Sequence, residues 1–192
     1  MDPVLLGFVS VFEASFKPPV PYRGTNGGRW LISKVWSVYM KAWLQDHYSA
    51  TYEYRLNQRR RLDAALWPKQ QNGATGTMDI ALEWEWDNSK VAKAFPSGDF
   101  RKLFEVNARC GVAIVHTRAD RKDGANQAAE TLTRLRRSSK KYRRDNRPVA
   151  LIEIRRVLDR KQRVDFVCNL EDMNTEAARE IARWTYSSTA GS

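Results

Sequence analysis

Apolar positions recur at helical spacing from Arg29 to about Tyr48. Leu31, Val35, Val38, Tyr39 and Ala42, with Ile32, Trp36 and Trp43 beside them, predict a long amphipathic helix. Ahead of it, the apolar run Val4 to Phe12 predicts a short helix. The Lys-Pro-Pro-Val-Pro run and the glycines from Gly24 to Gly28 then predict an irregular connection. After the long helix the spacing becomes that of strands, at Thr51 to Leu56, Arg61 to Trp67 and Met78 to Trp86. Alternation in the third of these puts Glu83 and Glu85 on one face and Leu82 and Trp84 on the other. Pro68 to Gly76, with Asn72-Gly73, reads as a turn.

A loop over Asn88 to Gly98 leads to a helix that Ser97 or Asp99 can cap, with Phe100, Leu103, Phe104, Asn107 and Ala108 on its inner face. Gly111 to Thr117 is a continuous apolar run. Coming after a helix that follows a strand, it implies a β-α-β unit with parallel pairing and both sheet faces covered. Asn126 to about Tyr142 has a helical pattern with Ala128, Ala129, Leu132, Leu135 and Tyr142 on one side. Val149 to Val157 and Arg163 to Leu170 read as strands, and Thr175 to Trp184 as a last helix before a Ser/Thr/Gly tail over 186–192. The order predicts an α/β (or α+β) fold in one domain over 1–192. Its parts are an N-terminal arm (1–28), a core at about 50–120 and a basic helix at about 124–147.

A chain of 192 residues buries about 70% of the surface its unfolded form exposes, so no second core is needed. Charge adds more to the picture. Lys and Arg number 33 against 22 Asp and Glu, a net +11, which favours a polyanionic partner and nucleic acid ahead of a membrane. Cys110 and Cys168 lie beside and inside predicted strands and read as small buried thiols of an intracellular protein. With two Cys and two widely separated histidines, His47 and His116, no zinc spacing is present. Val4 to Phe12 follows Asp2, meets Glu13 and has no basic flank, so it reads as neither a signal peptide nor a membrane span. A soluble cytoplasmic protein is expected.

Phosphodiester hydrolysis needs a nucleophilic water and stabilisation of a leaving oxygen, and divalent metals held by carboxylates supply both. Asp63 near the start of one strand, and Glu83 with Glu85 on another, place hard oxygen ligands at fixed positions. A surface strand with solvated acids would alternate in the same way. Ala64, Ala65, Leu66, Ile80, Ala81 and Leu82 look interior, however, and carboxylates beside a core are seldom idle.

The stretch Glu53…Arg61-Leu-Asp63-Ala-Ala-Leu…Ile80-Ala-Leu-Glu83-Trp-Glu85 resembles the metal-binding core of the PD-(D/E)xK nucleases. Their signature is an acid on one strand and Glu-x-Lys on the next. Glu in place of Lys is similar to the variant in type II restriction endonucleases of the BglII and BamHI kind. The similarity continues through Trp86-Asp-Asn88, Asp99-Phe-Arg-Lys-Leu-Phe104 and the strand ending Thr117-Arg118, so it covers roughly residues 50 to 120. The resemblance implies a restriction-endonuclease-like central mixed β-sheet flanked by helices. It implies Asp63 and Glu83 as ligands of Mg²⁺ or Mn²⁺, Glu85 in the place usual for the catalytic lysine, and Glu53 as the upstream acid, with Asp46 competing for that role. Glu85 then has to act as ligand or general base, and Lys90 or Lys102 are the nearby sources of positive charge.

A second constellation lies on the basic helix and its exit. Arg134, Arg136, Arg137, Lys140, Lys141, Arg143, Arg144 and Arg147 face a single acid, Asp145. A solvated face and the helix macrodipole account for some of these cations. The rest suit phosphate contact without sequence specificity. Arg60 and Arg61 sit next to Asp63, and alternation across the strand sends Arg60 or Arg61 toward a scissile phosphate. The expected activity is a metal-dependent endodeoxyribonuclease, with DNA ahead of RNA, a setting in restriction or defence, and self-association by analogy. The alternative is a catalytically inactive nucleic-acid-binding protein on the same fold.

Overall fold

The computed structural model describes residues 2–15, 48–57, 61–68, 77–85, 99–118, 147–158, 164–172 and 177–186, with residues 130, 133, 136, 137 and 140. A helix, α1 (Pro3–Ser15), precedes the strands β1 (Tyr48–Arg55), β2 (Arg61–Pro68) and β3 (Met78–Glu85). A 3-10 turn (Asp99–Arg101) runs into a short helix, α2 (Lys102–Glu105). Four more strands follow: β4 (Ala108–Arg118), β5 (Val149–Leu158), β6 (Val164–Asp172) and β7 (Ala177–Tyr186). All seven strands form one sheet in chain order. β1, β2 and β3 are antiparallel neighbours, β3, β4 and β5 run parallel, and β6 and β7 return antiparallel. The α/β class and the mixed sheet are therefore as expected.

Parallel strands need crossovers, and the two here carry helix: α2 between β3 and β4, and the helical residues Glu130, Thr133, Arg136, Arg137 and Lys140 between β4 and β5. Helical cover explains the unbroken apolar runs of the central strands. Ala65, Trp67, Ala81, Ala113, Val115, Val149 and Leu151 pack with Phe100, Leu103 and Phe104 in one cluster. The alternate positions, among them Leu66, Ile80, Leu82, Val112, Ile114 and Ile152, are buried as well. So are Leu5, Phe8, Val9 and Phe12 of α1, which lies against β3. Asp2 ties the start of α1 to β4: it accepts hydrogen bonds from Val4 N (2.8 Å) and from Arg109 Nε (2.9 Å).

Gly111 sits where β4, β5 and α2 close on one another. A Cβ added there would lie 3.2 Å from Val149 Cγ2 and 3.5 Å from Leu103 Cβ. Gly111→Val should therefore overpack this junction and lower stability by roughly 1–3 kcal/mol, read as an earlier midpoint in urea. An unchanged midpoint would show that α2 yields.

Three expectations are corrected. The stretch expected as the last helix pairs along β6 as β7, with Ile181 left over as a bulge between the Cys168–Ala182 and Asn169–Glu180 pairs. Its Ala and Arg content favours a helix, but the free edge of β6 supplies a ladder of hydrogen bonds that local propensity does not weigh. The helix after Asp99 is short. Val106 is already extended (φ −77°, ψ 151°), no side chain caps the start of α2, and Ala108 pairs with Met78 as the first residue of β4. Tyr48 opens β1 instead of closing a helix. The aromatic helix up to His47, the Asn72-Gly73 turn and the tail after Tyr186 lie outside the described residues, and no described helix is long and apolar enough to cross a membrane.

Candidate active site

Antiparallel pairing sets Ala64 opposite Leu82 and Ala65 opposite Ala81. The paired stretch ends there, with Asp63 next after Leu62 on β2 and Glu83 next after Leu82 on β3; alternation from Ala65 and Ala81 puts the two acids on the same face of their strands. Asp63 Oδ2 accepts a hydrogen bond from Trp84 N at 2.6 Å, which fixes its carboxylate against β3. Between Tyr52–Ala64 and Tyr54–Leu62, Glu53 occupies the register position opposite Asp63. Glu85 pairs with Val115 of β4. Glu53, Asp63 and Glu83 thus fall in one row across three strands. The side chains of Glu53 and Glu85 lie outside the described residues, as do Asp46, His47 and Lys90.

Glu83 is only 2% exposed. A buried carboxylate needs a countercharge, and it comes from α2: Lys102 Nζ lies 2.8 Å from Glu83 Oε1. Lys102 is itself buried, and its ammonium also donates to the backbone carbonyl of Arg61, at the start of the strand that carries Asp63. One side chain from the crossover thereby joins β2 and β3 at the acidic row. Of the two lysines named as sources of positive charge, Lys102 lies beside Glu83, and Lys90 falls outside the described residues. The distance of nineteen residues along the chain between Lys102 and Glu83 gives no sign of this.

The donor set suits a hard cation. Mg²⁺ is held by one or two carboxylates, keeps several waters and takes further oxygens from a substrate phosphate; Asp63 and Glu83 are carboxylates on adjacent strands. Among the described residues no group of three or more His, Cys, Asp or Glu is gathered to hold a metal.

Of the cationic candidates, Arg61 is exposed at the start of β2, next to the site. Arg137 and Lys140 are exposed and share a helix face with Glu130 and Thr133, whereas Arg136 is half-buried. Arg60, Lys141, Arg143 and Arg144 lie outside the described residues. Arg147 donates to the carbonyl of Val106, which gives it a structural role at the entry to β4. Sequence reading passed over a buried acid on β5, Glu153, bound by Arg155. The available signal was an acid inside the apolar run Val149 to Ile154 with a cation two residues on, on the same face of the strand.

At the other end of β4, Cys110 is a buried free thiol whose pKa is pushed up to about 12, by burial first and by the charge of Asp2 second. A thiol held protonated does not react. Peptide-resolved mass spectrometry should find Cys110 unalkylated by iodoacetamide at pH 8 in the folded protein and labelled in denaturant. Rapid labelling without denaturant would contradict its burial.

Comparison with protein-family models, with curated proteins and with solved structures finds no match to this chain.

Proposed function

We propose that the chain is a metal-dependent endonuclease of restriction-endonuclease-like fold that hydrolyses phosphodiester bonds in DNA. The observation that carries this reading is the placement of Asp63 and Glu83 on the adjacent strands β2 and β3, one anchored by Trp84 N and the other by Lys102. The expected order of strand, strand, helix, strand around these acids is present, with β3 and β4 parallel. A net charge of +11 suits a polyanionic substrate.

In this reading Asp63 and Glu83 would hold Mg²⁺ or Mn²⁺, which supplies charge stabilisation at the scissile phosphate and a water acidified toward neutral pH. Lys102 provides the cation that the motif lacks at Glu85, from a helix instead of from β3. Its ammonium offsets negative charge around Glu83. Arg61 meets the phosphate backbone from the solvent side.

Purified protein incubated with plasmid, single-stranded DNA and RNA should cut DNA with Mg²⁺ or Mn²⁺ and stop with EDTA. The second reading, a binding protein without catalysis, draws on the same ion pair, because Lys102 already neutralises Glu83. It predicts salt-sensitive binding and no cutting on any substrate.

A further inference from the structure

We propose that Arg155, held in place by the buried carboxylate of Glu153, binds a phosphodiester of the substrate strand neighbouring the one cut at Asp63 and Glu83. The proposal rests on the nuclease reading above. Glu153 is 2% exposed, and both its oxygens are taken by one guanidinium: Arg155 Nε donates to Oε1 at 3.0 Å and Nη2 donates to Oε2 at 2.8 Å. A guanidinium has five N–H donors. This side-on fork uses two of them and leaves the Nη1 edge and the outer hydrogen of Nη2. Arg155 remains 35% exposed at its side chain, and among the described residues its guanidinium has no partner other than Glu153. A planar, fixed, partly exposed guanidinium is the geometry that meets a phosphate through paired hydrogen bonds.

Position supports the same ligand. Register runs from Glu83 to Ala113 to Leu151, and from Glu85 to Val115 to Glu153. Glu153 and Arg155 therefore stand on the sheet face of the acidic row, two strands across and nearer the carboxyl ends of the parallel strands. Strand spacings of about 4.8 Å and a rise of about 3.3 Å per residue put Glu153 on the order of 12 Å from Glu83. A nucleic-acid backbone with a charge every 3.4 Å or so along each strand spans that distance within a few nucleotides. The carboxyl ends of parallel strands are also where open α/β sheets take their ligands.

The competing role is local: Arg155 neutralises a buried acid and touches no substrate. Arg155→Gln alone does not separate the two, because it strands Glu153 and weakens the fold. The double variant Glu153→Gln/Arg155→Gln removes both charges, and thermal unfolding confirms that it is folded. Duplex DNA binding is then measured in EDTA across a salt series, alongside plasmid cutting by the wild type with Mg²⁺. The expected result is binding about tenfold weaker than wild type, with the slope of log K against log salt smaller by about 1. Arg155→Lys, which keeps charge and loses the fork, should fall between the two. If the wild type cuts plasmid and the double variant binds with wild-type affinity and slope, this proposal is overturned and the nuclease reading stands. A wild type that leaves plasmid intact overturns both.

Discussion

Asp63→Asn should lower Mg²⁺-dependent DNA cleavage by about 10³-fold or more, a loss of about 4 kcal/mol of transition-state stabilisation, while leaving thermal unfolding nearly unchanged. The substitution is chosen for what it keeps. Asparagine retains an oxygen that can accept from Trp84 N, the 2.6 Å bond that ties β2 to β3, and it retains the volume of the side chain. Only the charge and one oxygen ligand are lost. If Asp63 serves solely to clamp the two strands, the variant should behave like wild type in every assay. Initial rates on supercoiled plasmid, read beside unfolding curves, separate the two roles.

Lys102→Ala should lower stability by about 3–5 kcal/mol, because it leaves Glu83 charged and without its ammonium in a buried setting. For a chain of this size that corresponds to a fall in Tm on the order of 10 °C. Desolvation drives the effect: Glu83 is 2% and Lys102 9% exposed, so water does not replace the missing partner. Lys102→Met with Glu83→Gln removes both charges at similar volume and should recover most of the stability but none of the cleavage. Calorimetry on the single and double variants checks this. A single variant as stable as wild type would mean that the pair is solvated.

Part of the central sheet was legible because the continuous apolar run at Gly111 to Thr117 needs cover on both faces, which implies a parallel crossover from the preceding strand; that β5 also runs parallel to β4 had no such signal. Asp63 and Glu83 could be named together because each lies in a strand with interior-looking neighbours and the resemblance to a nuclease core joins them. Lys102 could be named but not placed, since its contact with Glu83 depends on how a connection of unpatterned residues returns α2 over β3. β7 was misread for a related reason. Ala177 to Tyr186 has helix-forming residues, and only the unpaired edge of β6, a property of the assembled sheet, turns them into a strand. The Glu153–Arg155 pair was visible as an i, i+2 acid and cation in an apolar strand, but a strand with two covered faces gives no periodicity to mark which acid is buried.

The most direct test is a calorimetric titration of Mn²⁺ into wild-type protein and into Asp63→Asn, with no DNA present. A carboxylate site at Asp63 and Glu83 predicts saturable binding by the wild type that is lost, or weakened at least tenfold, in the variant. Indistinguishable titrations of the two proteins would contradict it.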